Sequence, residues 1–107
     1  MTNFSDRQRG EEAKYAMDED TAFRVAARRN RLLGEWAAGE MGLTPEESGS
    51  YRKAVVQADF EEAGDEDVIR KVLGDLIAAG VDADEALVRA RLEEKAVEAR
   101  RQLMSES

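Results

Sequence analysis

Histidine and cysteine are both absent from this 107-residue chain. Their absence removes the disulfide framework, the usual zinc ligands, the Ser/His and Cys/His nucleophile pairs and the commonest general base. No glycine precedes Lys14, Lys53, Lys71 or Lys95, so no phosphate-binding P-loop is present. Asp65/Asp67 and Asp82/Asp84 have the first two spacings of a calcium loop but lack its third ligand and glycine, so they read as helix caps. Aromatic residues are only 6% of the chain, which implies a thin core of Leu, Val, Ile and Ala. No apolar run is long enough for a transmembrane helix, and MTNFSDRQRGEEAK lacks the apolar stretch of a secretory signal. The expectation is a cytoplasmic, non-catalytic protein that needs no metal or other cofactor.

What is abundant is charge. Charged residues are 37% of the sequence, with 16 basic against 24 acidic and a net charge of -8. Binding to nucleic acid or to an anionic membrane needs a positive surface, so neither is expected. A chain of this length forms one domain, burying roughly two-thirds of its unfolded surface.

The punctuation marks helices. Thr44-Pro45-Glu46-Glu47 has the form of a capping box with proline at the first helical position, predicting a helix from Pro45 to about Phe60. Its apolar side carries Tyr51, Val55, Ala58 and Phe60. Gly64 ends it, and Asp65 is expected to cap the next helix. That helix carries the densest apolar stripe in the chain: Val68, Ile69, Val72, Leu73, Leu76 and Ile77. Gly80 stops it, Asp82 is expected to cap a fourth helix with Val88, Leu92, Ala99 and Leu103 inward, and fraying is expected near Met104. The apolar stripes do not sustain three heptads, so a long coiled coil is not expected.

The first helix is the long one, ending at Gly42. On a helical wheel Phe23, Ala26, Ala27, Leu33, Ala37 and Met41 share a face widened by Leu32 and Trp36, while Arg24, Arg28, Arg31 and Glu35 lie opposite. Arg29 and Asn30 intrude on the apolar side. A buried guanidinium must be paired and a buried amide hydrogen-bonded, and Asp59, Glu61 or Glu62 are the expected partners. The arginine stripe is either a solvated face or a contact for acidic or phosphate groups. Residues 1–20 carry only Phe4, Tyr15 and Met17 as large apolar side chains after Met1, too few to offset the entropy of ordering. The expected organisation is an all-α, four-helix bundle-like assembly: a flexible N-terminal arm over 1–20, a helical domain over 21–104 with a long first helix, and a frayed end over 105–107.

Three segments carry a resemblance. Arg28–Gly42 reads RRNRLLGEWAAGEMG, Asp59–Leu76 reads DFEEAGDEDVIRKVLGDL, and the N-terminal stretch reads FSDRQRGEEAKYAMDED. Together they resemble the zeta subunit of alphaproteobacterial F1-ATPase, a small inhibitor of ATP hydrolysis, over nearly the whole chain. The family often has proline after the paired glutamates, where this chain has Ala63. The resemblance implies that about Thr2–Glu19 is an inhibitory element that enters a catalytic α/β interface of F1 and blocks rotation in the hydrolytic direction. The implied partners are the α, β and γ subunits, with the free protein a monomer. On this reading Phe4 and Tyr15 are anchors, because aromatics carry much of the energy of small interfaces. Asp6, Arg7, Arg9, Glu11, Glu12 and Lys14 set register through charge pairs. The resemblance also implies adenine-nucleotide binding, with ADP or ATP as a regulatory ligand. Arg28, Arg29, Arg31 and Trp36 are the candidates, since phosphate needs cations and adenine can stack on an aromatic ring, although Trp36 reads equally as a core anchor. The alternative is a helical adaptor or nucleotide-sensing protein that acts away from F1.

Overall fold

The structure, a computed structural model, describes residues 2–58 and 65–106, with side chains over 21–58 and 65–106. Four helices make up its regular structure: α1 (Thr2–Met41), α2 (Pro45–Ala58), α3 (Glu66–Ala78) and α4 (Glu85–Glu106). The all-α expectation therefore holds among the described residues. Asp59, Phe60, Glu61, Glu62, Ala63 and Gly64 lie outside them, so the expected end of α2 and the three expected acidic partners of Arg29 and Asn30 do as well.

Each helix end follows from local chemistry. The Thr44 hydroxyl accepts from the Glu47 amide at 3.2 Å, and the Glu47 carboxylate accepts from the Thr44 amide at 2.9 Å, which closes the predicted capping box. Those bonds hold the Glu47 carboxyl below its ordinary pKa, the backbone bond being the larger cause. Gly42 and Gly80 have φ of 71° and 81°, in the left-handed region that glycine enters without strain. Each lets two reversed bonds form: Leu43 to Ala38 (3.0 Å) with Gly42 to Gly39 (3.2 Å), and Val81 to Leu76 (2.9 Å) with Gly80 to Ile77 (3.0 Å), each amide donating to a carbonyl. Both helices thus end in Schellman motifs.

Two caps differ from expectation. The Asp65 side chain makes no capping bond, because it is drawn to Arg29. At α4 the cap is Asp84, whose carboxylate accepts from the Leu87 amide at 2.8 Å, and not Asp82. The helix starts two residues later than the sequence suggests because Asp84 is correctly spaced for Leu87. α4 also continues past the expected fraying point to Glu106, whose carboxylate is anchored by Arg28.

The core is assembled from all four helices. Leu33, Val55, Val68, Val72, Leu76 and Val88 are fully buried, and Ala37, Ile69 and Leu92 complete their cluster. Trp36, Met41, Tyr51, Leu73 and Val81 pack against it. Truncating a buried leucine such as Leu33 in so small a core would cost about 2–5 kcal/mol. Phe23 and Ile77, both expected to face the core, are instead 57% exposed. Ile77 lies at the edge of a stripe already filled by four buried residues, and Phe23 is nearly three turns from Leu33, toward the N-terminal end of α1.

α1 packs most extensively against α2 and α4. Gly34 makes the α1–α2 contact close, since a Cβ built there would lie 3.1 Å from the Arg52 Cα. α4, with 22 residues, is about 33 Å long and matches the length of residues 21–41 of α1. At about 1.5 Å per residue, residues 2–20 then extend α1 by nearly 30 Å more. The molecule accordingly measures 63 × 24 × 21 Å.

Candidate functional site

The residues expected to form the inhibitory element lie on the N-terminal half of α1. The side chains of Phe4, Asp6, Arg7, Arg9, Glu11, Glu12, Lys14 and Tyr15 fall outside the described residues.

The four candidates on the body of α1 are placed on different sides. Arg28 reaches the end of α4: its two terminal nitrogens meet the two Glu106 oxygens at 2.5 and 3.2 Å, and Nη1 also donates to Gln102 Oε1 at 3.4 Å. The Arg28 bonds hold the Glu106 carboxyl below its usual pKa. Of the two readings of the arginine stripe, a solvated face or a contact for acidic groups, Arg28 takes an intramolecular form of the second, with α4 supplying the acid, while Arg24, Arg31 and Glu35 on the same face stay exposed. Arg29 turns the other way, with Nη2 3.1 Å from Asp65 Oδ1 and Nε donating to Asn30 Oδ1 at 3.0 Å. Asn30 is fully buried, and its Nδ2 has no hydrogen-bond partner among the described residues. Arg29 therefore has a carboxylate partner in Asp65, an acid expected to act as a cap, whereas Asn30 is met only at Oδ1, and the expected partners Asp59, Glu61 and Glu62 lie outside the described residues. Trp36 is half-buried against the core cluster. Arg31 alone of the four is exposed, without an ion-pair partner among the described residues. Arg28 and Arg31 line one small hollow with Glu35, Arg52 and Gln102, but Arg29 and Trp36 do not line it, so the four are not brought together into one site.

It assembles a different group around Arg31. The outer face of α2 carries a hollow of about 600 Å³ lined by Arg31, Pro45, Gly49, Arg52, Lys53 and Val56, with Glu46, Ser50 and Gln57 completing the wall. Gly49 and Ser50 supply the space, and a Cβ at Gly49 would meet the Arg52 Nη2 at 3.7 Å. The Arg52 guanidinium therefore lies over Gly49, at the floor of the hollow. Among the described residues its carboxylate neighbour is Glu35, with Oε2 at 3.8 Å, and both side chains are substantially exposed. Lys53 is exposed and makes no ion pair among the described residues. Sequence reading missed Arg52, Lys53 and Gly49. The usable signal was the Gly49-Ser50 step followed by Arg52-Lys53 on the polar side of α2.

Elsewhere several cations are matched, although Arg100 and Arg101 on α4 are also exposed without an ion-pair partner among the described residues. Lys71 reaches Asp75 at 3.1 Å, and the same Asp75 oxygen accepts from the Tyr51 hydroxyl at 2.8 Å, tying α2 to α3. Lys71 also lies 5.4 Å from the centre of the Tyr51 ring. Burial, followed by the Asp75 hydrogen bond, pushes the Tyr51 hydroxyl pKa far up, so it stays protonated as a donor. Arg89 bridges Glu66 and Glu85, joining α3 to α4. Arg91 pairs with Glu94, and Arg70 with Asp67. Among the described residues no group of His, Cys, Asp or Glu could hold a metal ion, and no helix is long and apolar enough to cross a membrane.

Comparison with known proteins gives the arrangement its context. The family model for ATPase inhibitor subunit zeta matches residues 1–102, so the chain belongs to that family. A solved solution NMR structure of a protein 49% identical covers 79% of this chain and 96% of its own, with a TM-score of 0.70. No curated protein matches the chain. The family is one of ATPase inhibitors, which points to a regulatory role.

Proposed function

We propose that this protein inhibits ATP hydrolysis by the bacterial F1F0-ATP synthase. In this reading residues 1–20 enter a catalytic α/β interface of F1 and block rotation in the hydrolytic direction, with the γ subunit as a further partner. The observation that carries the reading is membership of the inhibitor family over residues 1–102, a span that includes the N-terminal segment. The geometry agrees with it: α1 is 40 residues long, whereas the helices packed on it need only its second half. Its first half is charged and poor in apolar residues, so a partner cleft must supply the surface that makes its order worthwhile.

The roles divide accordingly. Phe4 and Tyr15 are the anchors, and Asp6, Arg7, Arg9, Glu11, Glu12 and Lys14 set the register by charge. Residues 21–104 mount the arm and act as one monomeric domain held at the membrane surface through F1. ADP or ATP acts as a regulatory ligand and not as a required cofactor. Of the four candidate nucleotide contacts, Arg28 and Arg29 are committed to ion pairs, which leaves Arg31 as the cation open to phosphate.

The test is ATP hydrolysis by F1 from the same organism, prepared without this subunit. The full chain should inhibit, and a chain starting at Asp20 should not, while keeping the helical circular dichroism of the body. Equal inhibition by both chains, or by neither when the full chain is folded and bound to F1, overturns the reading. Phe4→Ala and Tyr15→Ala should each weaken inhibition about 30-fold if they are interface hot spots, worth about 2 kcal/mol each.

A further inference from the structure

The hollow on α2 is built at the expense of local stability. Gly49 sits inside a helix, where glycine is about 0.5–1 kcal/mol less favourable than alanine, and no backbone atom crowds it as one crowds Gly34. The position keeps a space open beneath the Arg52 guanidinium. Arg31 and Lys53 stand beside that space without ion-pair partners among the described residues. On a chain with a net charge of -8, a concentration of cations beside apolar Pro45 and Val56 is directional. Among the described residues Glu46 is the one carboxylate on its wall. The remaining lining is neutral, from Ser50 and Gln57, so the positive charge is not cancelled within the hollow.

From this we infer that the outer face of α2 is a second docking surface, and that its occupant is an acidic segment of the F1 partner. A carboxylate of that segment meets Arg52 over Gly49, flanked by Arg31 and Lys53, and a small apolar side chain rests on Val56. The charge complementarity argues for a peptide: the lining runs from Pro45 to Gln57 along α2 and sets the cations Arg31, Arg52 and Lys53 beside apolar Pro45 and Val56, a combination that an acidic segment with an apolar side chain fills along its length and a small anion does not. Such rim charges act mainly on the rate of encounter and on its salt dependence. The surface would hold the body against F1 while the arm finds its cleft. The inference rests on the inhibitor reading for its partner, but it concerns the body and not the arm.

The experiment measures binding of the fluorescently labelled full chain to F1 from the same organism, across a salt series. The variants are the doubly reversed Arg31→Glu/Lys53→Glu chain and Gly49→Ala. The double variant should bind about tenfold more weakly at low salt and lose much of its salt dependence. Its melting temperature should be unchanged, and inhibition should remain complete at saturation. Gly49→Ala should bind more weakly although its melting temperature rises, an outcome that a purely structural role for Gly49 excludes. Unaltered F1 binding by the double variant overturns the inference while leaving the inhibitor reading intact. If the wild-type chain neither binds nor inhibits F1, the inhibitor reading fails, and this inference fails with it. A Trp36 fluorescence titration with ADP that is abolished by the double variant, together with unchanged F1 binding, would reassign the hollow to a small anion and overturn the docking surface.

Discussion

Arg29 and Arg31 are two residues apart on the same helix and meet opposite fates. Two steps along an α-helix turn the chain by about 200°, so the two side chains leave α1 on different flanks. Arg29 is largely enclosed, its side chain 13% exposed, and braces the start of α3 through Asp65 while supporting the buried Asn30. Arg31 stands at the edge of the α2 hollow without an ion partner among the described residues. The same guanidinium is a strut on one flank and an available charge on the other. Residue type therefore says little about the role of an arginine here. What decides it is whether another helix closes over that flank.

The strongest way to break this comparison is to remove the strut. Arg29→Ala takes the donor from Asn30 Oδ1 in a fully buried position where Nδ2 already has no partner among the described residues. It also leaves Asp65 unpaired, though half-exposed and so resolvated at little cost. Removing one partner of a buried pair costs about 3–5 kcal/mol, and the exposure of Asp65 reduces this to about 2–3 kcal/mol. For a body of this size that is a drop in melting temperature of about 10 °C or more, read by circular dichroism. Arg28→Ala should cost under about 1 kcal/mol, because Glu106 is more than half-exposed and water replaces the lost partner. Equal losses for the two variants would mean that burial is not what separates the flanks.

Much of this was legible beforehand where the signal was local. The Thr44–Glu47 box, the glycine stops at Gly42 and Gly80, and the Val68–Leu76 stripe are all readable within about one to three helical turns, and the structure reproduces each. The exposure of Phe23 and Ile77 and the contact of Arg28 with α4 are invisible in the sequence for a common reason. A helical wheel orders residues around one helix but does not say how far along it a neighbour extends or how many sides are covered. α1 is covered on two sides, so its apolar stripe alone understates its contacts. The choice between Asp82 and Asp84 and the capture of Asp65 by Arg29 depended on atomic spacing between elements, which no pattern of residue types records. The α2 hollow was overlooked because its defining residue, Gly49, reads in sequence only as a weak helix former.

Glycine sharpens the comparison at a smaller scale. Gly34 and Gly74 are both inside helices, yet a Cβ at Gly34 would press on the Arg52 Cα at 3.1 Å and Val55 Cγ2 at 3.3 Å, while one at Gly74 would meet nothing within 4 Å. A backbone atom cannot swing aside as a side-chain end can, so Gly34→Ala must separate α1 from α2. The expected cost is about 1–2 kcal/mol. Gly74→Ala should gain up to about 1 kcal/mol, from better helix propensity and a less flexible unfolded chain. Denaturant midpoints of the two variants should therefore move in opposite directions. A loss at both positions would mean that the closeness of α1 and α2 is not what Gly34 provides.

The smallest expected effect on stability is the most telling for function. Arg31→Ala removes an exposed side chain with no ion pair among the described residues, so the melting temperature should correspond to a change within about 0.5 kcal/mol. A larger loss would show that Arg31 braces the α1–α2 seam through its aliphatic stem, as long cationic side chains can. The two flanks of α1 would then differ only in degree. If stability holds while binding to F1 weakens, the difference is one of kind, because a charge that the fold does not need is the charge a partner can use.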